Sequence, residues 1–271
     1  MVAVLRLGAA GAEITLLQQQ LAAAGFRPGS VDGRFGPATE AALLAFQRAH
    51  GLLPDGIAGP ITWHALTGRG APAGQDRSAD ITVELVAAMF PMTAIGPIRR
   101  FLPAVIAGLR AAALVDKPML LTALATIRAE SEGFAPVVEG ISRFNTSPEG
   151  HPFDLYDHRA DLGNQGAPDG ARFCGRGFVQ LTGRDNYRHY GELLDLPLAG
   201  QPERACEPSI AARLLAAFLA ERQRPIKLAL VEGDLARVRR LVNGGRNGLD
   251  RFQAAYRTGD RLLADPVWAA A

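Results

Sequence analysis

The sequence predicts a mainly α-helical protein in two parts: a small three-helix domain over residues 1–70 and a larger helical domain over residues 81–271. An internal repeat marks the small domain. A Gly-, Pro- and polar-rich stretch from Gly68 to Asp80, with a linker at 71–80, separates it from the rest. Apolar residues at helical rather than alternating spacing mark the large domain, which has a long loop region and at most a short hairpin. At 271 residues, both parts can bury a core.

In the small domain, Ile14, Leu17, Leu21 and Ala24 share one helical face, and Gly25 supplies a C-terminal stop. The frame D-G-x-x-G-P-x-T-x-x-A-L then appears twice, over Asp32–Leu43 and Asp55–Leu66. Asp-Gly favours a tight turn, and the proline after Gly suits a first helical position, where a backbone donor would be unpaired anyway. Each copy therefore reads as turn, then helix. On the residues alone, a ligand-free packing unit and a binding module stand equal.

In the large domain the periodicity predicts helices at about 81–90, 97–113, 118–133, 208–222, 234–242 and 250–263. Between 135 and 183 lies a Gly-, Pro- and Asn-rich region. So long a loop in a compact domain is more often functional than idle, and the cleft is expected there.

Composition narrows the function classes. The net charge of +2 comes from 29 bases and 27 acids with interspersed signs, so no extended field attracts nucleic acid. Phe101–Ile127, the most apolar stretch, is interrupted by Arg110, Asp116, Lys117 and Pro118, too soon for a membrane span. Arg6 lies in a short apolar start with no basic segment ahead of it, a poor signal peptide, so synthesis in the cytoplasm is expected. Cys174 and Cys206 allow one disulfide at most and lack zinc-site spacing.

The chemistry begins at the end of the helix from Pro118. Leu120, Leu124, Ile127, Ser131 and Phe134 form its buried stripe. At about 100° per residue, Glu130 falls roughly 60° from Ile127, on the flank of the stripe, whereas Glu132 falls roughly 140° away, facing solvent. A carboxyl against apolar neighbours resists ionising, the condition for donating a proton near neutral pH. The alternative is a helix-end glutamate paired with Arg128 or another arginine.

Glu139 is the second candidate acid. On one continuous helix it would lie about 13.5 Å from Glu130 on the opposite face. Gly133 and Pro136 end the helix and allow Val137-Val138-Glu139 to fold back across the cleft. An inverting glycosidase needs its two carboxyls about 6.5–9.5 Å apart, and the spacing permits this.

Further along, the core of Gly175–Tyr187 alternates, putting Phe178, Gln180 and Thr182 on one side of an extended segment. Gln180 and Thr182 suit a polar groove. Thr182 equally starts a T-x-x-D helix cap with Asp185. Gly175-x-Gly177 is too short for a dinucleotide fingerprint. Asp154, Asp157, His158 and Asp161, with His151, offer zinc ligands, but no later His-bearing motif completes such a site. His64 and His189 read as surface or packing residues.

Two resemblances follow. The Leu-Gln-Gln-Gln-Leu helix, Gly25-Phe26, the two Asp-Gly turns and Phe46-Gln47 resemble the peptidoglycan-binding module of cell-wall hydrolases over residues 3–68. Ala129–Phe134, Tyr156-x-x-Arg159-x-Asp161-Leu162-Gly163-Asn164, Asp169-Gly170, Gly175–Tyr187 and Val242-Asn243-Gly244-Gly245 resemble, in order, glycoside hydrolase family 19 in its phage endolysin branch, over about 81–263.

This resemblance implies a lysozyme-like helical domain, with Glu130 as general acid and Glu139 as the second acidic residue. It implies that Gln180, Thr182 and Asn186, grouped with Tyr187, hold sugar or the attacking water. Asn243 is implied near the bound sugar, and Arg251 as support for the acidic cluster. Ala129 and Glu132 depart from the usual His-Glu-Ser-Gly-Gly motif. The expected protein is a monomeric, bacteriolytic wall glycosidase cutting β-1,4 bonds between amino sugars with inversion, without cofactor or metal, and acting on peptidoglycan after release. A chitinase, a zinc peptidase or amidase, and a non-catalytic wall-binding protein are the rivals.

Overall fold

The computed structural model describes residues 4–67, 76–131, 133–245 and 247–263. Glu132 and residues 71–75 of the expected linker lie outside the described residues, as does the side chain of His64. Two compact units are formed. Among the described residues, one comprises residues 4–67 and Asp76 together with Gln223–Val238, and the other Arg77–Arg222 with residues 239–263. Both are mainly helical, and the strands among the described residues form one two-stranded sheet.

The first unit contains α1 (Ala12–Ala23), α2 (Pro37–Ala49) and α3 (Pro60–Thr67). Ile14, Leu17 and Leu21 are buried with Phe35, Leu43, Phe46 and Trp63, whereas Ala24 caps α1 from an exposed position. The repeat has a shared internal logic. Gln18 Nε2 donates to Asp32 Oδ1, Arg34 O and Thr39 Oγ1 at 3.0–3.1 Å, and its Oε1 accepts from Gly33 N at 3.0 Å. Gln47 does the same for Asp55, Ile57, Thr62 and Gly56. Each Asp-Gly turn is thus clamped by a buried glutamine of the preceding helix, leaving no polar group of the clamp unpaired.

The second unit contains α4 (Val83–Met89), α5 (Ile95–Ala111), α6 (Lys117–Glu130), the one-turn α7 (Asp154–Asp157) and α8 (Asp169–Arg172), α9 (Arg184–Leu194), α10 (Pro208–Ala220) and α13 (Leu249–Leu262); α11 (Gln223–Val231) belongs to the first unit, and α12 (Leu235–Asn243) runs from one unit's residues into the other's. Asp116 caps α6 by accepting from Met119 N. The amphipathic stripe expected of α6 is replaced by burial all round, from Met119 to Ala129. A helix apolar on every face belongs in the centre of a domain, and α4, α10 and α13 pack on it. Gly108 of α5 allows close approach to α10, since a Cβ there would lie 2.8 Å from Ala212 O.

α9 and α11 were not expected from periodicity. α9 is rich in arginine and other polar residues, and α11 is a nine-residue helix with Pro225 near its start, so in both tertiary packing overrides a weak pattern. The region 135–183 holds α7, α8 and β1 (Val137–Val138) paired antiparallel with β2 (Arg176–Gly177), with Val137 opposite Gly177.

Candidate active site

α6 stops earlier than Gly133 and Pro136 suggested. Ser131 already has extended dihedrals, and Phe134, fully buried, makes the turn with a left-handed φ of 47°. Glu130 is therefore the last helical residue, and the chain doubles back into β1, where Glu139 N donates to Gly175 O at 2.7 Å. This reversal brings both acids to one cavity of about 620 Å³.

Glu130 is largely buried, its side chain 14% exposed. Its neighbours correct the apolar environment expected from the stripe. Oε1 accepts from Asn243 Nδ2 at 2.8 Å and sits 2.7 Å from Nη1 of Arg239, a guanidinium only 1% exposed. The second contact is a close approach of the guanidinium rather than a linear hydrogen bond. Arg239 Nε also donates to Asn247 O at 2.8 Å, which fixes the guanidinium beneath the acid.

Glu139 has a different setting. Oε1 accepts from Tyr156 OH at 2.8 Å and Asn145 Nδ2 at 3.0 Å, and Oε2 from Gly175 N at 3.0 Å. Three neutral donors suit a group that accepts protons. Asn145 is fully buried and also donates to Gly140 O, while its own oxygen accepts from Ser142 N and Thr146 Oγ1. Burial, and then the bond to Glu139, push the Tyr156 phenol up to about 12, so it stays a donor across the neutral range.

Gln180, Thr182, Asn186 and Asn243 line the same cavity. The segment that carries them is not an extended strand. Gln180 has φ 53°, so Phe178 turns into the core while Gln180 faces the cavity, its amide donating to Val137 O and Gly177 O. Thr182 does not cap α9, whose N-cap is Gly183; its hydroxyl donates to Gln180 O at 2.8 Å.

Two expected site residues are not part of the cavity lining. Tyr187 is fully buried, donating to Cys174 O at 2.9 Å and accepting from Arg176 Nη1 at 3.0 Å, because its place on α9 faces the core. Arg251 is exposed on α13, outside the cavity lining, and Arg239 contacts Glu130. Tyr156, Asn145 and Arg239 were given no role in sequence. Tyr156 opens the Tyr156-x-x-Arg159-x-Asp161 motif, the one signal available for it; the other two are joined to the acids by tertiary structure alone.

The zinc alternative finds its side chains engaged. Asp154 accepts from Ser147 N and Oγ, Asp157 from Gly170 N with His151 3.1 Å away, and Asp161 pairs with Arg159. Among the described residues no three His, Cys, Asp or Glu side chains gather as a metal site. Cys174 and Cys206 are not bonded to each other, and burial pushes the Cys174 thiol up. Among the described residues no helix is long and apolar enough to cross a membrane.

Comparison with known proteins gives two kinds of match. Residues 10–66 match the family described as putative peptidoglycan binding domain. The zinc D-Ala-D-Ala carboxypeptidase of Streptomyces albus G is 50% identical over 54 residues, 18% of this chain and 21% of that protein. A glycosyl hydrolase family 19 domain-containing protein of Haemophilus influenzae is 29% identical over 115 residues, 42% of this chain and 54% of its own. The chain therefore spans about a fifth of the first relative's length and about half of the second's. Among solved structures, a bacterial family 19 chitinase is similar with a TM-score of 0.48 and 23% identity, covering 68% of this chain and 94% of that one.

Proposed function

We propose that this protein is a peptidoglycan-degrading glycosidase of the endolysin type, hydrolysing β-1,4 bonds between amino sugars by general acid and base catalysis. The observation that carries the reading is the meeting of Glu130 and Glu139, from a helix end and a hairpin, in one cavity whose lining includes several amides and hydroxyls. Neutral hydrogen-bonding side chains such as Gln180, Thr182, Asn186 and Asn243 suit a polyhydroxylated chain. The match of residues 10–66 to a peptidoglycan-binding family and the family 19 domain of the Haemophilus relative support the same reading.

In this reading Glu130 protonates the bridging glycosidic oxygen. Proton donation leaves a carboxylate, and Arg239 and Asn243 stand ready to stabilise the charge that develops. Glu139, held by Tyr156, Asn145 and Gly175, takes a proton from water, which attacks the anomeric carbon from the opposite face and inverts it. The acid–base pair needs no cofactor. The N-terminal module raises the local concentration of the catalytic unit on an insoluble polymer. The same reading makes the chain a bacteriolytic, phage-type monomer, synthesised in the cytoplasm and acting on the wall once released.

Digestion of purified sacculi and of chitin oligomers, followed by mass spectrometry, tests this. Glycan fragments with new reducing amino sugar ends are expected, released faster from sacculi. Release of peptide amines from intact glycan would instead establish a peptidase or amidase, and binding without solubilisation a non-catalytic protein.

A further inference from the structure

The cavity has a charged wall that the acid–base pair does not use. Arg222 follows α10, and its guanidinium lies 3.7 Å over the ring of Phe218, which also lines the cavity. One nitrogen is anchored three ways: Nη1 donates to Phe218 O at 3.0 Å, to Tyr190 OH at 3.1 Å and to Glu221 Oε2 at 3.2 Å. Glu221 is held in turn by Tyr190 OH and by His189 Nε2, each at 2.6 Å. Nε and Nη2 make no hydrogen bond to any described residue. The guanidinium thus has one fixed corner and one unclaimed edge, on a side chain 32% exposed in the cavity wall.

Such an edge, planar and held in place, matches a carboxylate, which takes two parallel N–H donors. Glu139 is met by neutral donors, so a substrate carboxylate in this cavity needs donors of its own, and Arg222, although paired with Glu221 through Nη1, offers two. Chitin is a neutral chain, whereas peptidoglycan bears carboxylates on its peptides and, where a peptide is absent, on the lactyl groups of muramic acid.

Resting on the glycosidase reading, we propose that Arg222 reads this difference: its Nε and Nη2 edge binds a carboxylate of peptidoglycan and gives the site its preference for wall glycan over chitin. Arg222 is a specificity residue, and Tyr190, Glu221 and Phe218 are the residues that position it.

The test compares kcat/KM of the full chain and of its Arg222→Gln and Arg222→Lys variants on three soluble substrates: peptide-free glycan strands with free lactyl carboxylates, peptide-bearing strands, and chitin oligomers. The ratio of wall glycan to chitin should fall about 10- to 100-fold in Arg222→Gln, mainly through KM, the value of hydrogen bonds to a charged group. Lysine restores the charge without the fork and should recover part of the ratio. Loss on peptide-free strands assigns the lactyl carboxylate, and loss confined to peptide-bearing strands assigns the peptide. If chitin is cleaved too slowly to measure, equilibrium binding of the same chains in a Glu130→Gln background supplies the ratio. Equal losses on all three substrates, as a purely structural arginine would give, or an unchanged ratio would overturn the proposal. A wild-type protein that makes no reducing ends from any of them would instead refute the glycosidase reading itself.

Discussion

A single methyl group at Gly175 probes the placement of the second carboxylate. Gly175 donates its N–H to Glu139 Oε2 and accepts from Glu139 N. A Cβ there would stand 2.9 Å from Gln180 Oε1, 3.0 Å from Glu139 Oε2 and 3.2 Å from Thr182 Oγ1. Ordinary contact between heavy atoms begins near roughly 3.5 Å, so relief requires these tips to move by about 0.5 Å. The backbone itself accepts alanine, because Gly175 is not among the positive-φ residues. Glu139 cannot yield without stretching its bonds from Tyr156 and Asn145. Misplacement of a reacting group by 1 Å costs about 100-fold, so half of that distance predicts about a tenfold loss in kcat for Gly175→Ala. The fold should lose only about 1 kcal/mol. Reducing-end release from sacculi gives the first quantity and thermal melting the second. Activity within a factor of two of wild type would refute the geometry.

Three further predictions follow from the same contacts. Arg239→Met leaves Glu130 without its buried cation and should cost about 3 kcal/mol of stability; in a double-mutant cycle with Glu130→Gln the losses should be non-additive by at least about 1 kcal/mol, read from chemical denaturation. Gln18→Ala or Gln47→Ala strips the clamp from an Asp-Gly turn and should destabilise the first unit by about 1–3 kcal/mol, with sacculus pull-down falling as that unit melts. Tyr156 and Tyr190 are each pushed up to about 12 and Tyr187 is raised as well, mainly by burial. The folded state therefore holds these protons more tightly than the unfolded chain, so stability is retained below pH 10 and lost as pH climbs toward 12. Phenolate absorbance against pH, run beside melting curves, checks both.

What the sequence disclosed, and what it withheld, follows from the range of each interaction. The Asp-Gly and Gly-Pro turns act within a few residues, and both copies fold as turn and helix. The repeat's threonine reads only as part of a pattern until Gln18 and Gln47 are seen to bond to Thr39 and Thr62. Helix α6 was legible from its apolar content, but not that it is buried on every side, since that depends on α4, α10 and α13 arriving from distant segments. The reversal after Glu130 was anticipated from Gly133 and Pro136, yet the turning residue is Phe134, whose ring is locked among Phe90 and Phe178. Tyr187 and Arg251 were assigned by alignment of motifs, which does not say which face of a helix a residue takes. Arg239 and Asn243 meet Glu130 across more than a hundred residues of chain, and no local pattern reports such a meeting.

The most direct measurement is the rate at which new reducing ends appear on purified sacculi with the wild-type chain and with Glu130→Gln, at equal amounts of bound protein. Removing the transferable proton while preserving shape should abolish that signal and leave sedimentation with the wall intact. Undiminished appearance of reducing ends in the variant would contradict the account.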